Sequence, residues 1–228
     1  METIEISTVD EFHKQIEKVH HFHPIFRGED KATYKLLSKF GRYAAFNEKN
    51  TVGMEIRTLE EFKRRSIPFL TYEPKDEWDW MALAQQHGLA TRLLDWTKNP
   101  MVAAYFANNK SYIEDSVIYV FDEASIKEVN LGVSPFSITE DCLFRPKHTA
   151  SRIASQAGLF TVHVNSVSEF SNPTLQRWLL KKAMLIDMMT MLNTYGFRKT
   201  FIFPGLDSIC YDIHDSHIWR DKKHYPTT

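Results

Sequence analysis

The chain has 228 residues, of which 43% are hydrophobic and 25% are charged, and its formal net charge is -1. These values are typical of a globular protein with a substantial core, and they predict one domain or one domain with an appendage. They exclude an argument for nucleic-acid binding from bulk charge, although a local basic patch is compatible with them.

The cysteines and the N-terminal residues bear on the compartment. Cys142 and Cys210 lie far apart and match no metal-ligand or redox spacing, which indicates a reducing environment. Residues 1–10 include acidic side chains and no apolar run, so we expect no signal peptide. No apolar stretch approaches the ~18 residues of a spanning helix. We therefore expect a cytoplasmic protein without a membrane segment.

Hydrophobic spacing predicts the elements of the first half of the chain. Predicted helices cover Thr8–His20, Thr51–Phe69 and Asp79–His87, and another begins at Asn99-Pro100. Predicted extended segments cover His23–Gly28, which ends at a glycine turn, then Leu89–Asp95 and Ser116–Asp122.

The second half of the chain adds one predicted strand, Gly158–Val164, and a long predicted helix, Thr174–Leu192. A turn at Tyr195–Phe197 leads into Phe201–Pro204. Strands and helices that do not alternate regularly along the chain favour the α+β class over a doubly wound sheet. We expect a single domain with a small mixed or antiparallel sheet surrounded by helices.

Three blocks of sequence carry a family resemblance. The first is Phe26-Arg27-Gly28. The second runs Gln86-His87-Gly88-Leu89-Ala90-Thr91-Arg92-Leu93-Leu94-Asp95-Trp96-Thr97, followed by Asn99-Pro100 and Ala104-Tyr105-Phe106-Ala107. The third comprises Arg145-Pro146, His148, Arg152-Ile153, Gln156, Gly158 and Phe160-Thr161. Together they resemble the FRG domain family, which is named for its Phe/Tyr-Arg-Gly motif, although Ala90 stands where the family usually has proline.

The blocks suggest a division of the chain. We expect an N-terminal helix within residues 1–19, an FRG core over 20–165, and a helical extension over 166–228 that packs on the same domain. The family name by itself says little about chemistry, because function resides in particular sites rather than in folds.

Arg27 lies between apolar residues and a glycine, where an isolated charge would be costly to bury. One interpretation is a structural ion pair with Glu29, Glu55 or Asp95. The other is a guanidinium that grips a phosphate or carboxylate, with Gly28 allowing the backbone to approach the ligand.

The block from Thr91 to Thr97 alternates if it is extended, which places Asp95 and Thr97 on one face. These two side chains are candidates to bind a sugar or an amide, and Thr91 joins them as a candidate ligand contact. The alternative is that Asp95 or Thr97 caps the helix that begins at Pro100.

Two histidines and their neighbours are further candidates. His87 follows a predicted helix, where it either complements the helix dipole or acts as a general base. Gln86 and His148 are candidate ligand contacts, and His148 carries the same ambiguity as His87.

Three arginines and a glutamine complete the candidate site. Arg92 and Arg145 are candidate ligand contacts, and Arg152 is either a phosphate contact or a surface residue. The amide of Gln156 is able to bind a ribose or a base edge. The predicted catalytic residues are thus Arg27, His87, Asp95 and Gln156.

Three hypotheses about function remain open. The order of Arg27, the Thr91–Thr97 strand with its helix, and the strand after Gln156 is similar to the ADP-ribosyltransferase fold. That similarity implies NAD as a substrate and transfer or hydrolysis at its ribose, although Gln156 stands where a glutamate is expected. Asp95 or Glu55 would then stabilise the developing positive charge.

The second hypothesis is a metal-independent ribonuclease, a toxin or phage-defence component, that uses His87, His148 and the arginines. The third is a non-catalytic module that senses a nucleotide or a partner protein. We predict no metal site, because His20, His21 and His23 are too closely spaced and fit a surface loop. The predicted partner is a nucleotide-type small molecule, with a protein partner and nucleic acid left open. No particular cofactor is predicted, and NAD enters only as a candidate substrate.

Overall fold

The structure is a computed structural model that describes residues 1–44, 51–108, 114–146 and 155–219. Strands β1 to β7 cover Glu2–Ile6, Pro24–Glu29, Leu93–Thr97, Ser116–Asp122, Cys142–Phe144, Gly158–Val162 and Gln176–Leu180. Helices α1 to α8 cover Val9–Val19, Lys39–Ala44, Thr51–Ser66, Glu77–Gln86, Pro100–Ala107, Leu185–Thr194, Lys199–Ile202 and Leu206–His214. Short 3₁₀ turns cover Ile67–Phe69, Glu123–Ser125 and Lys182–Met184, and a π-helical turn covers Asp215–Trp219.

Within the described residues, the strands form one mixed sheet in the order β1-β7-β4-β2-β3-β6-β5. The β1–β7 pair is parallel, and every other neighbouring pair is antiparallel. The fold is therefore α+β, and the predicted class is confirmed.

Strand β4, the third of the seven strands across the sheet, is buried on both faces. Ile118 and Val120 pack with Phe26 and Trp178 on one face, in a cluster that includes residues of α1, α5 and α6. Tyr119 and its alternating neighbours pack into a second cluster on the other face. Alternation of this kind is what a strand with two covered faces requires.

The helix predicted over Thr174–Leu192 is wrong in its first part. Gln176–Leu180 forms β7, which lies between β1 and β4 and pairs with both. Trp178 is completely buried there, because β1 and β4 pair with its strand on either side and its ring packs edge-to-face with Phe12 and Phe26. Tertiary pairing overrides the local helical pattern. The helical prediction holds only from Leu185 onward.

Two further elements differ from the predictions. Glu2–Ile6 forms an edge strand that the spacing of apolar residues did not reveal. Strand β2 does not end at a glycine turn but continues through Gly28 to Glu29. The two chain segments outside 20–165 therefore each add a strand to the common sheet.

The helix that follows β3 begins with a different cap from the two that were predicted. The side chain of Asn99 accepts from the N–H of Met101, and Pro100 occupies the first turn. Thr97 instead accepts a hydrogen bond from the N–H of Asn99 at 3.0 Å. Asp95 lies too early in the strand to reach these amides, so its carboxylate is directed elsewhere.

Candidate functional site

Arg27 holds a fixed position on β2 because two carboxylate-bearing residues surround it. Its Nε and Nη2 donate to Oε1 of Glu29 at 2.9 and 2.6 Å. Its Nη1 donates to the backbone oxygen of Asp95 at 2.8 Å and lies 3.6 Å from the carboxylate of that residue. The predicted ion pair is thus present with Glu29 and Asp95, and Glu55 pairs elsewhere.

The reach of Arg27 toward Asp95 follows from a split in the sheet. Strands β2 and β3 share one ladder pair, Phe26 with Thr97. Beyond it, β2 continues along β4 as far as Glu29, whereas β3 continues along β6 back to Leu93. The two strands diverge, and the guanidinium bridges the gap between them.

A cavity of about 300 Å³ opens at this split. Its lining is Phe26, Arg27, Gly28, Glu29, Asp30, Asp95, Trp96, Thr97, Val102, Phe106 and Gln156. Arg27, Asp95, Thr97 and Gln156 therefore come together, although they lie in three separate stretches of sequence. The volume is at the lower end of the range for small-molecule sites.

Gly28 serves close packing between β2 and α5. A Cβ at this position would lie 1.8 Å from the backbone oxygen of Ala103 and 2.7 Å from the backbone nitrogen of Ala107. The glycine therefore lets helix α5 lie directly against the strand. Gly28 also lines the cavity. Its predicted role, which is to let a ligand approach the backbone, stays a prediction.

Carboxylates outnumber guanidinium groups in the cavity wall. Glu29, Asp30 and Asp95 line it together with the single cation Arg27 among the described residues. Burial alone would lower the pKa of Arg27, but Glu29 and Asp95 more than reverse that effect and raise the pKa. Arg42 approaches Glu29 from outside, with its Nη1 3.8 Å from Oε1. The cavity is thus more favourable to positive charge and to hydroxyl donors than to a bare anion.

Asp95 is the exposed carboxylate of the cavity, with 60% of its side chain accessible. Gln85 holds it by donating from Nε2 to Oδ2 at 3.1 Å. The other end of that amide, Oε1, accepts from the hydroxyl of Thr91 at 2.6 Å. Gln85 and Thr91 consequently act as supports of Asp95. Thr91 itself is buried and does not line the cavity.

Gln156 enters the cavity from the end of the chain segment that precedes β6. Its Nε2 donates to the backbone oxygen of Ile202 at 3.0 Å, and its own backbone oxygen accepts from Thr97 Oγ1 at 2.6 Å. These bonds connect the cavity to α7 at one end and to β3 at the other. The C-terminal helices therefore help to position a residue of the candidate site.

Arg92 is placed away from the cavity, in the buried layer below α3. It forms an ion pair with Glu55, and the two side chains are only 1% and 3% exposed. Its Nη1 also donates to the backbone oxygen of Pro135 at 3.0 Å, and its guanidinium lies over the ring of Phe136. Burial raises the pKa of Glu55 above its ordinary value, while Arg92 opposes that shift. Neither side chain is accessible to a ligand in the Arg27 cavity.

The other predicted contacts fall into three places. Gln86 and His87, at the end of α4, line a different cavity that shares no residue with the first. Arg145 pairs with Glu123 at 2.9 Å and lies 3.6 Å from Glu128. His148 and Arg152 lie outside the described residues.

A buried polar chain runs beneath the cavity wall. Trp96 Nε1 donates to Oγ1 of Thr161 at 3.0 Å, and that hydroxyl lies 3.0 Å from Nε2 of His163. Nδ1 of His163 has no hydrogen-bond partner among the described residues. Burial lowers the pKa of His163 to about 4, with further lowering by Arg27 and Arg92 that Asp141 opposes.

Several residues of this site were not among the predicted ligand contacts. Glu29 was considered only as a partner for Arg27, and the alternation of a strand was the signal that the two share a face. Gln85 was passed over in favour of its neighbour Gln86. Phe106 forms part of an apolar helix, and nothing in the sequence distinguishes it from a core residue.

Across residues 1–44, 51–108, 114–146 and 155–219, no three or more His, Cys, Asp or Glu side chains gather in a way that could hold a metal ion. None of the helices in the same ranges has both the length and the apolar character needed to cross a membrane.

Comparison with known proteins identifies the segment that contains most of this cavity. No curated protein and no solved structure matches the chain. The family model of the FRG domain matches residues 23–116, a range that holds every cavity residue except Gln156. The motif Phe26-Arg27-Gly28 and the Gln86–Thr97 block both fall within it, so residues 23–116 are the segment of this chain that matches the FRG domain.

Proposed function

We propose that the cavity between β2 and β3 binds the nicotinamide riboside half of NAD and cleaves the bond between the ribose and the nicotinamide. The observation that carries this proposal is that Arg27, Asp95 and Gln156 line one cavity of about 300 Å³. NAD acts here as a substrate.

The charge of the cavity supports this half of the dinucleotide over the other. Glu29, Asp30 and Asp95 favour a ligand that brings a positive charge and hydroxyl donors. Nicotinamide riboside offers a pyridinium cation and a ribose diol, whereas the adenosine half is attached to a diphosphate. We assign the diphosphate to a position outside the cavity, near Arg42, whose side chain is 43% exposed.

The shape of the cavity supports a flat ring as part of the ligand. Phe106 of α5 lines the wall and is only half-buried, and its ring packs edge-on to Phe203 with centroids 5.9 Å apart. A ring held in this way presents an apolar face to an aromatic ligand without losing further freedom. We place the nicotinamide against Phe106 and the ribose toward Asp95.

Asp95 is the group we assign to catalysis. When the bond between C1′ of the ribose and N1 of the nicotinamide breaks, its electron pair goes to the ring, which leaves as neutral nicotinamide. Positive charge develops on the ribose, and a carboxylate beside it stabilises that charge. Water adds to C1′ and loses a proton, so the products are ADP-ribose, nicotinamide and a proton. Glu55 is unsuited to this role because it is buried against Arg92.

Arg27 and Gln156 are assigned to positioning. Arg27 fixes the backbone of Asp95 through its Nη1 and so keeps the carboxylate at the split in the sheet. Gln156, whose Nε2 is held by Ile202, is assigned to accept a hydrogen bond from a ribose hydroxyl through Oε1. A neutral amide is sufficient for this hydrogen bond, so the role does not require the glutamate that the ADP-ribosyltransferase similarity would place at this position.

A non-catalytic sensor of nucleotides is the second candidate. The specific observation in its favour is that the Arg27 guanidinium already donates to Glu29 and Asp95. These bonds stabilise the site without a ligand, as a site that only binds requires. A ribonuclease that combines His87 with Arg27 gains no support, because these two residues line different cavities.

The experiment is to incubate the protein with NAD and to quantify released nicotinamide by chromatography, while thermal melting with NAD and ADP-ribose reports binding. Asp95→Asn should abolish release, and Asp187→Asn, an exposed change on α6, should leave it intact. Binding without release would favour the sensor. If NAD neither shifts the melting temperature nor loses nicotinamide, the proposal is wrong.

A further inference from the structure

A second cavity, of about 470 Å³, lies where helices α3 and α4 end. It shares no lining residue with the cavity at Arg27. Gln86 and His87 line it, so these two residues of the motif block are directed here and not to the first cavity. The cavity therefore needs an account that is independent of the function proposed above.

The body of this cavity is apolar. Phe62, Phe69, Tyr72 and Leu83 form much of its wall. Phe69 is 83% exposed, a value that leaves most of a large aromatic ring in contact with water. Covering that ring with an apolar ligand group would be favourable at roughly 25 cal/mol per Å² of apolar surface removed from water.

The charged rim of the cavity has one sign. Arg65 lines it, and within the described part of the chain no carboxylate does. The Arg65 side chain is 77% exposed and lies 3.8 Å from Glu61, an arrangement that leaves its guanidinium able to turn toward a ligand. The side chains of Gln86 and His87 add hydrogen-bond donors and form no hydrogen bond with another described residue.

Two helix ends at the same place would ordinarily oppose an anion, because the C-terminus of a helix is partly negative. Here three of the last four carbonyls of α4 accept hydrogen bonds. The oxygens of Leu83, Ala84 and Gln85 accept from the N–H groups of His87, Leu89 and Gly88 at 3.2, 2.9 and 2.9 Å. The full charge of Arg65 consequently outweighs the residual dipole, and the rim favours a negative group.

We infer that this second cavity binds a small molecule with an aromatic body and one anionic group, of the aryl carboxylate class. The aromatic body lies against Phe62 and Phe69. The carboxylate accepts hydrogen bonds from Arg65 at the rim and from His87 or Gln86 at the end of α4. Volume fits this class, since a bicyclic aryl acid occupies well under half of about 470 Å³ and leaves room for water.

The test uses 2-naphthoate as the probe and 2-naphthamide as its neutral counterpart, with binding to the full chain measured by isothermal titration and by ligand-observed NMR. We expect naphthoate to bind and naphthamide to bind about tenfold more weakly, which corresponds to one charge-assisted hydrogen bond. Arg65→Gln should weaken naphthoate binding by a similar factor and leave naphthamide unchanged.

The neighbouring residues provide matched controls. Arg64 is as exposed as Arg65 and also pairs with Glu61, but it does not line the cavity, so Arg64→Gln should bind naphthoate normally. Phe69→Ser should abolish binding of both probes, whereas Ile67→Ser, at a residue that is 59% exposed and outside the lining, should not. All four sites are on the surface, so the variants should melt close to the unmodified protein.

Three outcomes would overturn the inference. They are absence of naphthoate binding at millimolar concentration, equal affinity for the acid and the amide, and equal loss of affinity in the Arg64 and Arg65 variants. Each of these outcomes is independent of whether NAD is bound or cleaved, because the probes and variants do not involve the cavity at Arg27.

Discussion

The Oε1 atom of Glu29 accepts two hydrogen bonds from Arg27, from Nε at 2.9 Å and from Nη2 at 2.6 Å. The two residues are i and i+2 on one strand and therefore project from the same face. Both side chains are nearly buried, at 11% and 12% exposure. The pair fixes the guanidinium so that only Nη1 is directed across the split in the sheet toward Asp95.

Removing only one member of this pair should be costly. Arg27→Met leaves Glu29 in a nearly buried position with Arg42 at 3.8 Å as its remaining cation among the described residues, and we expect a loss of about 2–3 kcal/mol in the free energy of unfolding. The double variant Arg27→Met/Glu29→Gln should recover part of that loss, because no uncompensated charge remains. Urea denaturation measures both. A double variant less stable than the sum of the two single changes would contradict this view of the pair.

Gly28→Ala should destabilise the protein by about 3 kcal/mol or more, because its Cβ would lie 1.8 Å from a backbone oxygen of α5 that has no rotamer to change. Gly132→Ala is the control. Its Cβ would meet only the side-chain oxygen of Asn130 at 3.2 Å, on the surface, and a change within about 0.5 kcal/mol is expected. Thermal and urea unfolding give the comparison. Equal stability of the two variants would show that α5 does not press on β2 as described.

Acid should weaken the fold through His163. Burial depresses its folded-state pKa to about 4, below the ordinary 6.5, so the neutral ring stabilises the folded state above pH 6.5. That contribution is lost as the pH falls from 6.5 through 4, and it amounts to about 3 kcal/mol for a shift of this size. We expect the free energy of unfolding to fall over this interval.

His163→Phe is the matched variant for that measurement, because the ring of His163 stacks on Phe170 with centroids 5.1 Å apart and phenylalanine preserves the stack. Its stability should depend less steeply on pH between 6.5 and 4, whatever its absolute value. An unchanged slope would assign the acid sensitivity to other groups.

Gln85→Ala should reduce nicotinamide release about tenfold without preventing NAD binding, because Asp95 loses the donor that lies 3.1 Å from its Oδ2. Gln86→Ala is the adjacent control and should leave release unchanged, since Gln86 lines the second cavity. Initial rates at saturating NAD give the comparison, and thermal melting confirms that both variants fold. Equal rates for the two variants would remove Gln85 from the positioning of Asp95.

Much of the architecture follows from local rules. Ser116–Asp122 was predicted with the bounds observed, because a strand buried on both faces reads as a continuous apolar run. The helix at Pro100 was predicted from Asn99-Pro100, although its cap is Asn99 and not Asp95 or Thr97. The strand Gln176–Leu180 could not be predicted, because its pairing depends on β1 and β4, which lie far away in sequence.

The candidate site also has a part that the sequence predicts and a part that it does not. Arg27, Asp95 and Gln156 were predicted as catalytic residues of one candidate site, and all three line one cavity. The separate placement of Gln86 and His87 was not expected. Successive residues of a helix point about 100° apart, so Gln85 contacts Asp95 while Gln86 is directed away from it. Deciding between such neighbours requires the helix to be docked, which the spacing of apolar residues does not determine.

The most direct test of the account is the affinity of nicotinamide riboside, measured by isothermal titration for the unmodified protein, Asp95→Asn and Asp187→Asn. We predict that nicotinamide riboside binds, that Asp95→Asn weakens binding about tenfold or more, and that Asp187→Asn does not change it. Absence of binding at millimolar nicotinamide riboside, or equal affinity in all three proteins, would contradict the assignment of the split between β2 and β3 as the binding site.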